Sequence, residues 1–355
     1  MKIGILGAGI VGVNTALQVQ NEFPNAQISV IAEGYGNETL SAGAAGIFRP
    51  GTSFSAGNDE VTQKWIVDSY NFYNQILHSE NAFEAGVMQV SGYLFSSKSA
   101  SITKNHFLEK LLPVYRAAAS DELEICPPPE GSSSWKYGAY FQTMVIESGL
   151  FLPWALKIFQ SRGGVTKQKR IEAFSDLLGD GYDYVINCTG FGSKWLCNDH
   201  KLVPIRGQVY KVKAPWVKMF YYGDYDTYII PGSTTVTLGG CRQFDSYKTE
   251  VDVYDSASIW DRCTSLLPSL KRAEVVREWV GLRPYRDPVR CGDAEVVQQG
   301  SQRMTVLHQY GHGGYGVTTS PGSAIHVTKA LKEIIRSGRV DNSHSTASIM
   351  IVSKI

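Results

Sequence analysis

The sequence predicts a mixed α/β (α+β) fold, in which a domain that begins with a parallel βαβ unit is interleaved with a second domain built on a mixed, largely antiparallel sheet. Two patterns indicate this arrangement. Residues 1–50 have the pattern strand, helix, strand, which is typical of a parallel βαβ unit. Residues 208–240 instead contain short alternating or β-branched runs bounded by Pro and Gly, which are typical of antiparallel strands.

The amino terminus carries the most informative local motif. An apolar strand at residues 3–6 is followed by three spaced glycines, Gly7, Gly9 and Gly12. A helical run at 13–19, a second apolar strand at 27–32 and the acid Glu33 come next. The glycines would allow a tight turn, a close approach of the backbone to a pyrophosphate, and close packing of helix on strand. The free N–H groups of the helix would face the phosphates, and the acid would bind a ribose diol. The motif therefore predicts a Rossmann-type dinucleotide-binding domain.

The remaining elements follow from the hydrophobic period and from the Gly and Pro positions. We predict helices at residues 61–78, 150–160 and 322–335, and strands at residues 164–173, 182–190, 208–213, 227–230, 235–238 and 304–309. The strand at 182–190 ends in a glycine turn and would return the chain to the nucleotide-binding sheet. The expected domain division gives residues 1–50, 140–200 and 280–340 to the nucleotide-binding domain, 51–139 and 201–279 to the substrate domain, and 341–355 to a C-terminal tail.

Composition and charge exclude several classes of function. The 355 residues carry a formal charge of +1, so we expect no nucleic-acid partner, because phosphate recognition needs a clustered basic surface. No apolar run approaches the length that spans a membrane, and no membrane partner is expected. The six cysteines lack the spacing of a zinc site, which predicts reduced thiols and no bound metal.

The printed sequence ends in Ser353-Lys354-Ile355, which is close to the peroxisomal address Ser-Lys-Leu. The mostly polar stretch at 337–348 would leave this tripeptide accessible. We therefore expect a peroxisomal location with the import receptor as a partner, and a cytoplasmic location as the alternative. The oligomeric state stays open, and a homo-oligomer is one option.

Beyond the amino-terminal glycines, eight further blocks occur in order: Ala44-Ala-Gly-Ile-Phe-Arg-Pro50, Val185-Ile-Asn-Cys-Thr-Gly190, Arg206-Gly-Gln208, Ala214-Pro-Trp216, Tyr228-Ile-Ile-Pro-Gly232, Val236-Thr-Leu-Gly-Gly240, Gly281-Leu-Arg-Pro284 and Tyr310-Gly-His-Gly-Gly-Tyr-Gly316. With them the chain resembles the D-amino-acid oxidase and D-aspartate oxidase family of FAD flavoproteins over nearly its whole length. The resemblance implies a Rossmann-type FAD domain, FAD as cofactor, and a D-amino acid and O₂ as substrates. It also implies oxidative deamination, in which the Cα hydride passes to flavin N5 and a 2-oxo acid, ammonia and H₂O₂ are formed.

The resemblance assigns roles to single residues. Arg283 would hold the α-carboxylate of the substrate with a bidentate guanidinium, and Tyr228 would hydrogen-bond the same carboxylate. The carbonyl of Gly314 would receive the amino group. His312 is predicted to be structural, because hydride transfer from a neutral amine needs no protein base. Contacts with FAD are expected from Gly7, Gly9, Ile10, Gly12, Glu33, Ser41, Ala45, Gly46, Ile171, Gly313, Gly314, Tyr315, Gly316 and Thr318.

Charged residues are expected to determine which substrate side chains the site accepts. Arg242 occupies a position where the neutral-substrate branch usually has an apolar or aromatic residue, and sheet alternation would put it on the same face as Leu238. Arg49 is either a second clamp for an acidic side chain or part of a surface ion pair. Tyr225 belongs to the segment 220–226, which lacks the arginine of the acidic branch and would form an aromatic lid as in the neutral branch. The two arginines favour D-aspartate and D-glutamate, and neutral D-amino acids are the alternative.

Two more distant alternatives belong to other classes. An NAD-dependent dehydrogenase would use the same amino-terminal domain, and a bound yellow flavin would exclude it. A non-catalytic flavin-binding protein would keep the fold with a vestigial pocket, and a peroxide assay would exclude that.

Overall fold

The computed structural model describes residues 1–128, 131–132 and 134–338 of the chain. The strands are β1 (Lys2–Leu6), β2 (Gln27–Ala32), β3 (Val87–Ser96), β4 (Tyr115–Ala117), β5 (Tyr137–Ile146), β6 (Val165–Gln168), β7 (Tyr184–Asn187), β8 (Val203–Lys213), β9 (Phe220–Tyr222), β10 (Tyr228–Pro231), β11 (Val236–Gly239), β12 (Gln243–Phe244), β13 (Glu274–Gln299) and β14 (Gln302–His312). The helices are α1 (Ile10–Glu22), α2 (Asp59–Leu77), α3 (Ser148–Ser161), α4 (Ser193–Leu196), α5 (Val253–Leu266) and α6 (Gly316–Ser337). The predicted tripeptide at 353–355 lies outside the described residues.

The fourteen strands found in the described residues form one mixed sheet. On one side the order is β6–β2–β1–β7–β14, and all neighbours in it are parallel. Strand β13 is antiparallel to both β14 and β8 and thereby joins this half to the other. Beyond β8 the order is β11–β10–β9–β3–β5–β4, antiparallel except for the β9–β3 pair. The predicted mixed fold class is confirmed, whereas the predicted domain boundaries stay a prediction.

Helices α1, α2 and α6 pack against one another over the parallel half of the sheet, and glycines bring their backbones close. A Cβ added at Gly12 would lie 1.9 Å from the carbonyl oxygen of Gly7, so α1 could not approach the end of β1 with any larger residue. A Cβ at Gly322 would lie 2.2 Å from the carbonyl oxygen of Trp65, at the contact between α6 and α2. These contacts fix where the amino-terminal ends of α1 and α6 lie, and both ends line the cavity described below.

Helix α6 begins at Gly316, six residues before the predicted start at 322. Pro321 lies inside this helix, and a proline there frees the carbonyl four residues before it. In the structure that carbonyl belongs to Val317, and it accepts a hydrogen bond of 2.9 Å from the buried Tyr73 hydroxyl. A side chain from α2 therefore satisfies the group that Pro321 leaves free, and the helix extends past the proline.

The predicted strand 164–173 was too long, and the strand alternation predicted to extend to Arg242 was wrong. Strand β6 ends at Gln168 rather than at residue 173, because its partner β2 ends at Ala32 and offers no further carbonyl after the one that binds the Lys169 amide. Strand β11 ends at Gly239, so Arg242 is not on the face of Leu238 by strand alternation. Strands β3, β4, β5, β9, β12 and β13 and helices α4 and α5 were not predicted. No helix among the described residues is long and apolar enough to cross a membrane.

Candidate active site

A cavity of about 1440 Å³ is lined by both halves of the sheet. It brings together most residues of the predicted site, namely Gly7, Gly9, Ile10, Glu33, Ser41, Ala45, Gly46, Arg49, Ile171, Tyr228, Arg242, Arg283, Gly313, Gly314, Tyr315, Gly316 and Thr318. Gly12 and Tyr225 do not line it. Gly12 acts instead in the packing of α1 described above, and Tyr225 is 67% exposed, with the Lys98 ammonium 4.0 Å from the centre of its ring.

The first end of the cavity is formed by the turn between β1 and α1. Gly7 has a φ of +110°, a conformation that favours glycine, and a Cβ there would lie 2.5 Å from the carbonyl oxygen of Cys188. Helix α1 has no acidic residue in its first turn, and the Ile10 amide donates a 2.9 Å hydrogen bond to the Ser41 hydroxyl. The turn therefore presents backbone N–H groups and the positive end of a helix dipole, which suits a pyrophosphate.

The predicted ribose ligand, Glu33, follows the end of β2 and lines the same end of the cavity. Its Oε1 lies 3.1 Å from the Arg170 guanidinium, and both side chains are about two-thirds exposed. Arg170 follows β6, which pairs with β2, so the parallel register brings the two residues together. Ile171, the next residue, also lines the cavity.

The segment 41–49 forms one wall, and it contains two close backbone approaches. Gly46 has a φ of +80°, and a Cβ there would lie 2.1 Å from the carbonyl oxygen of Ile146. A Cβ at Gly43 would lie 2.0 Å from the Trp279 ring, which also lines the cavity. Only glycine fits at these two positions, which keeps the wall against β5 and β13.

The start of α6 forms the opposite wall. Gly313 has a φ of +57° and leads through a single 3₁₀ turn into the helix, whose first residues Gly316 and Thr318 line the cavity. No acid lies in the first turn of this helix, so its dipole presents partial positive charge to the cavity. The Thr318 hydroxyl donates to the carbonyl of Tyr315 at 3.0 Å.

His312, which was predicted to be structural, is buried at the cavity wall and packs against helices α2 and α6. Its ring stacks on Trp65, and its Nε2 lies 2.9 Å from the Ser323 hydroxyl. Burial lowers the pKa of His312 to about 4, so the ring is neutral at neutral pH and would be a weak base.

Arg283, on β13, carries the clearest functional geometry. Its guanidinium lies over Gly207, where a Cβ would come within 2.1 Å of Nη2, and Nη1 donates to the carbonyl of Cys241 at 3.3 Å. No carboxylate of the described residues forms an ion pair with it. A Cβ at Gly314 would lie 3.4 Å from Arg283 Cδ, so the predicted amine acceptor is next to the predicted carboxylate ligand.

The Tyr228 phenol lies over the glycines at the end of β11. A Cβ at Gly239 would lie 2.1 Å from its Cζ, and one at Gly240 would lie 2.8 Å from its hydroxyl oxygen. Burial raises the pKa of Tyr228, and the nearby Arg283 opposes part of that effect. The phenol therefore stays protonated well into the alkaline range and is available as a hydrogen-bond donor.

The remaining predicted side chains lie at the rim of this end. Arg242 Nη2 is 3.5 Å from Asp226 Oδ1, and both side chains are about half exposed. The Arg49 guanidinium lies 4.7 Å from the centre of the Tyr222 ring and forms no ion pair with a described residue. Tyr222, rather than Tyr225, is the tyrosine of this segment that faces the cavity.

Sequence reasoning missed Arg170, Asp226 and Trp279, which line the cavity. Arg170 follows β6, Asp226 lies in the β9–β10 turn and Trp279 lies on β13. None of them stands in a motif. The two acids in the segment 220–226 were the one available signal for Asp226.

The site accommodates a dinucleotide at one end and an anion at the other. The cavity has the groups that bind FAD in a Rossmann-type domain. They are two helix amino termini without acids, glycines at positions that exclude a Cβ, and a carboxylate after β2. The fold and this site together define a flavin-dependent oxidoreductase.

Comparison with known proteins agrees. The model of the DAO family, described as FAD dependent oxidoreductase, matches residues 2–330. The chain therefore belongs to this family and its cofactor is FAD, as the resemblance implied, and the match gives no support to the NAD-dependent alternative.

Among its relatives, D-aspartate oxidase of Homo sapiens is 35% identical over 339 residues, covering 95% of this chain and 96% of the relative. D-amino acid oxidase of Dugesia ryukyuensis is 30% identical over 339 residues, covering 94% and 98%. A crystal structure of glycine oxidase from Geobacillus kaustophilus has a TM-score of 0.75 at 17% identity, covering 93% of this chain and 94% of that one, and so shares the fold.

Proposed function

We propose that this oxidoreductase deaminates D-amino acids, with preference for the acidic substrates D-aspartate and D-glutamate. One observation carries the proposal: the Arg283 guanidinium has no carboxylate partner among the described residues, and it lies beside Tyr228 at the end of the FAD cavity. An unpaired guanidinium next to a protonated phenol is a receptor for a carboxylate, which every amino acid carries.

The residues of the chain would bind and orient the substrate. Arg283 would take both oxygens of the α-carboxylate, and the Tyr228 hydroxyl would donate to one of them. With that group fixed, the backbone carbonyl of Gly314 would accept from the neutral amino group. With the carboxylate and the amino group both held, the Cα–H bond of a D-amino acid has one fixed direction. Such positioning lowers the activation barrier for hydride transfer. Bound FAD would supply the hydride acceptor at N5 and the electron transfer to O₂, so the products are a 2-oxo acid, ammonia and H₂O₂.

Support for the acidic preference comes from two cations at the rim of the same end, Arg242 and Arg49. A dicarboxylic substrate needs a second cation beyond the one that binds its α-carboxylate, because an unpaired carboxylate in a desolvated pocket is costly. The human relative is a D-aspartate oxidase by name.

The second candidate is a preference for neutral D-amino acids. It is favoured by Asp226, whose carboxylate lines the cavity and neutralises Arg242. The relative from Dugesia ryukyuensis is a D-amino acid oxidase by name.

The deciding experiment measures H₂O₂ release with D-aspartate, D-glutamate, D-alanine and their L-isomers. We expect release with D-isomers only, and the largest kcat/KM with an acidic one. Equal or better activity with D-alanine would transfer the preference to neutral substrates, and no release with any isomer would contradict the activity itself.

We also propose a peroxisomal location with the import receptor as partner, on the tripeptide Ser353-Lys354-Ile355. A fluorescent protein that ends in the last twelve residues of the printed sequence should be imported, and the same fusion without the tripeptide should stay in the cytoplasm. Cytoplasmic fluorescence from both fusions would refute the location.

A further inference from the structure

The carboxylate of Asp226 forms an ion pair with Arg242, the arginine that the sequence analysis assigned to the side chain of the substrate. Its Oδ1 lies 3.5 Å from Arg242 Nη2, and both residues line the cavity. Both side chains are about half exposed, and ion pairs of that kind contribute little to stability because water screens them. The pair is therefore weak enough to exchange with another anion, yet close enough to compete with one.

The backbone holds Asp226 in this position. Strands β9 and β10 are joined by a tight turn in which Tyr225 and Asp226 have φ values of +59° and +58°, and the Thr227 amide donates back to the Asp224 carbonyl at 3.2 Å. The Gly240 amide donates to the Asp226 carbonyl at 2.7 Å.

Helix α5 secures this turn from behind. The Arg262 guanidinium donates to the carbonyl of Tyr225 and, at 2.8 Å, to that of Gly240. The turn that carries Asp226 and the segment that leads to Arg242 are thereby held together.

Of the two arginines predicted to select the substrate side chain, Arg49 forms no ion pair with a described residue, whereas Arg242 pairs with Asp226. The Tyr222 ring covers the face of the Arg49 guanidinium at 4.7 Å, and stacking of this kind leaves the N–H groups in the guanidinium plane free. Tyr222 lies 5.8 Å from Tyr228, between ring centres. A Cβ at Gly51, two residues beyond Arg49, would lie 2.1 Å from the Tyr315 hydroxyl. Arg49 is therefore next to the proposed carboxylate site and not on a remote surface.

We propose that the side-chain carboxylate of a dicarboxylic substrate binds Arg49, and that Asp226 is an internal competitor that occupies Arg242. This inference rests on the proposed function and names the specificity residues of the same site. The charges balance in this arrangement: Arg283 takes the α-carboxylate, Arg49 takes the distal carboxylate, and Asp226 neutralises Arg242. Asp226 then limits the affinity for acidic substrates, because it removes one of two available cations.

The test uses the FAD-loaded enzyme and two non-oxidisable probes, succinate and butyrate, which differ by one carboxylate. Binding is followed by the change in the flavin absorbance spectrum, and kcat/KM is measured for D-aspartate and D-alanine. The variants are Arg49→Gln and Asp226→Asn, and Asn tolerates the positive φ at this position. The matched control is Asp245→Asn, which removes the same charge from an exposed residue that also has a positive φ (+57°) but does not line the cavity.

We expect Arg49→Gln to lower the D-aspartate to D-alanine ratio of kcat/KM by roughly 10- to 100-fold and to reduce succinate affinity to that of butyrate. Asp226→Asn should strengthen succinate binding about two- to fivefold, the range for a half-exposed pair, and Asp245→Asn should leave it unchanged.

Three results would overturn the inference. Equal losses of affinity for succinate and butyrate in Arg49→Gln would show that Arg49 only positions Tyr222. Equal gains of succinate affinity in Asp226→Asn and Asp245→Asn would show that the effect comes from the change in net charge alone. A weaker succinate affinity in Asp226→Asn would mean that Asp226 assists Arg242. Failure of the proposed function is separate, because it would appear as no H₂O₂ from the parent enzyme with any D-amino acid.

Discussion

The two ends of the cavity are built from different parts of the chain. The cofactor end consists of backbone: glycine turns, the amino termini of α1 and α6, and positions such as Gly46 where a Cβ has no room. The substrate end consists of side chains, of which Arg283 lies over Gly207 and Tyr228 over Gly239. Glycine therefore serves two purposes, since it forms the first end and makes room for the second.

This difference predicts how each end responds to substitution. A change at the cofactor end adds atoms where backbone already lies, so it should lower FAD retention and stability together. A change at the substrate end removes a charge or a hydrogen-bond donor from a site that water can enter, so it should alter catalysis and leave the fold intact.

The largest expected effect is at Arg283. Arg283→Leu removes the partner of the α-carboxylate, and such a loss costs about 2–5 kcal/mol, or roughly 30- to 5000-fold in kcat/KM. D-aspartate and D-alanine should be affected equally, with FAD still bound. The control is Arg277→Leu, the same change on an exposed residue of β13 outside the cavity lining. Activity within tenfold of the parent would refute the role of Arg283.

The next largest effect is expected at Gly46. Gly46→Ala would combine an unfavourable φ of +80° with a Cβ 2.1 Å from the Ile146 carbonyl oxygen, at a cost of roughly 2–4 kcal/mol. We expect a lower Tm and easier loss of FAD on dialysis. Gly36→Ala is the matched control, because Gly36 also has a positive φ (+56°) but no atom within 4 Å of the added Cβ. Equal effects in both variants would attribute the loss to φ alone.

The same difference explains what could be predicted from the sequence. The cofactor end follows from local order, because Gly7, Gly9 and Glu33 are fixed by one strand, one turn and the next strand. The substrate end depends on which strands pair. Asp226 meets Arg242 only because the β9–β10 turn is held against the end of β11, and no local signal indicates that contact. The start of α6 was misplaced for the same reason, since Tyr73 from another helix satisfies the carbonyl that Pro321 leaves free.

A smaller effect is expected at Tyr228. Tyr228→Phe removes one donor to the α-carboxylate, and hydrogen bonds to charged groups contribute about 1.5–3 kcal/mol. Because burial raises the pKa of Tyr228, the parent-to-variant ratio of kcat/KM should begin to fall only at a higher pH than for an ordinary phenol. Tyr221→Phe, on the same sheet but outside the cavity lining, is the control. A ratio that falls toward 1 at pH 10 would indicate an ordinary, exposed phenol.

The smallest effect is expected at Glu33, whose side chain lies at the cofactor end. Its carboxylate is about two-thirds exposed, so a bond from a ribose hydroxyl would contribute only about 0.5–1.5 kcal/mol, or roughly two- to tenfold in FAD affinity. Glu33→Ala should make apoprotein form more readily on dialysis and leave the D-aspartate to D-alanine ratio unchanged. The control is Glu172→Ala, which removes the other carboxylate near Arg170, 3.6 Å from its Nε. If both variants lose FAD equally, FAD binding depends on a carboxylate that neutralises Arg170 and not on Glu33 in particular. If neither does, this end of the cavity binds the dinucleotide through backbone alone.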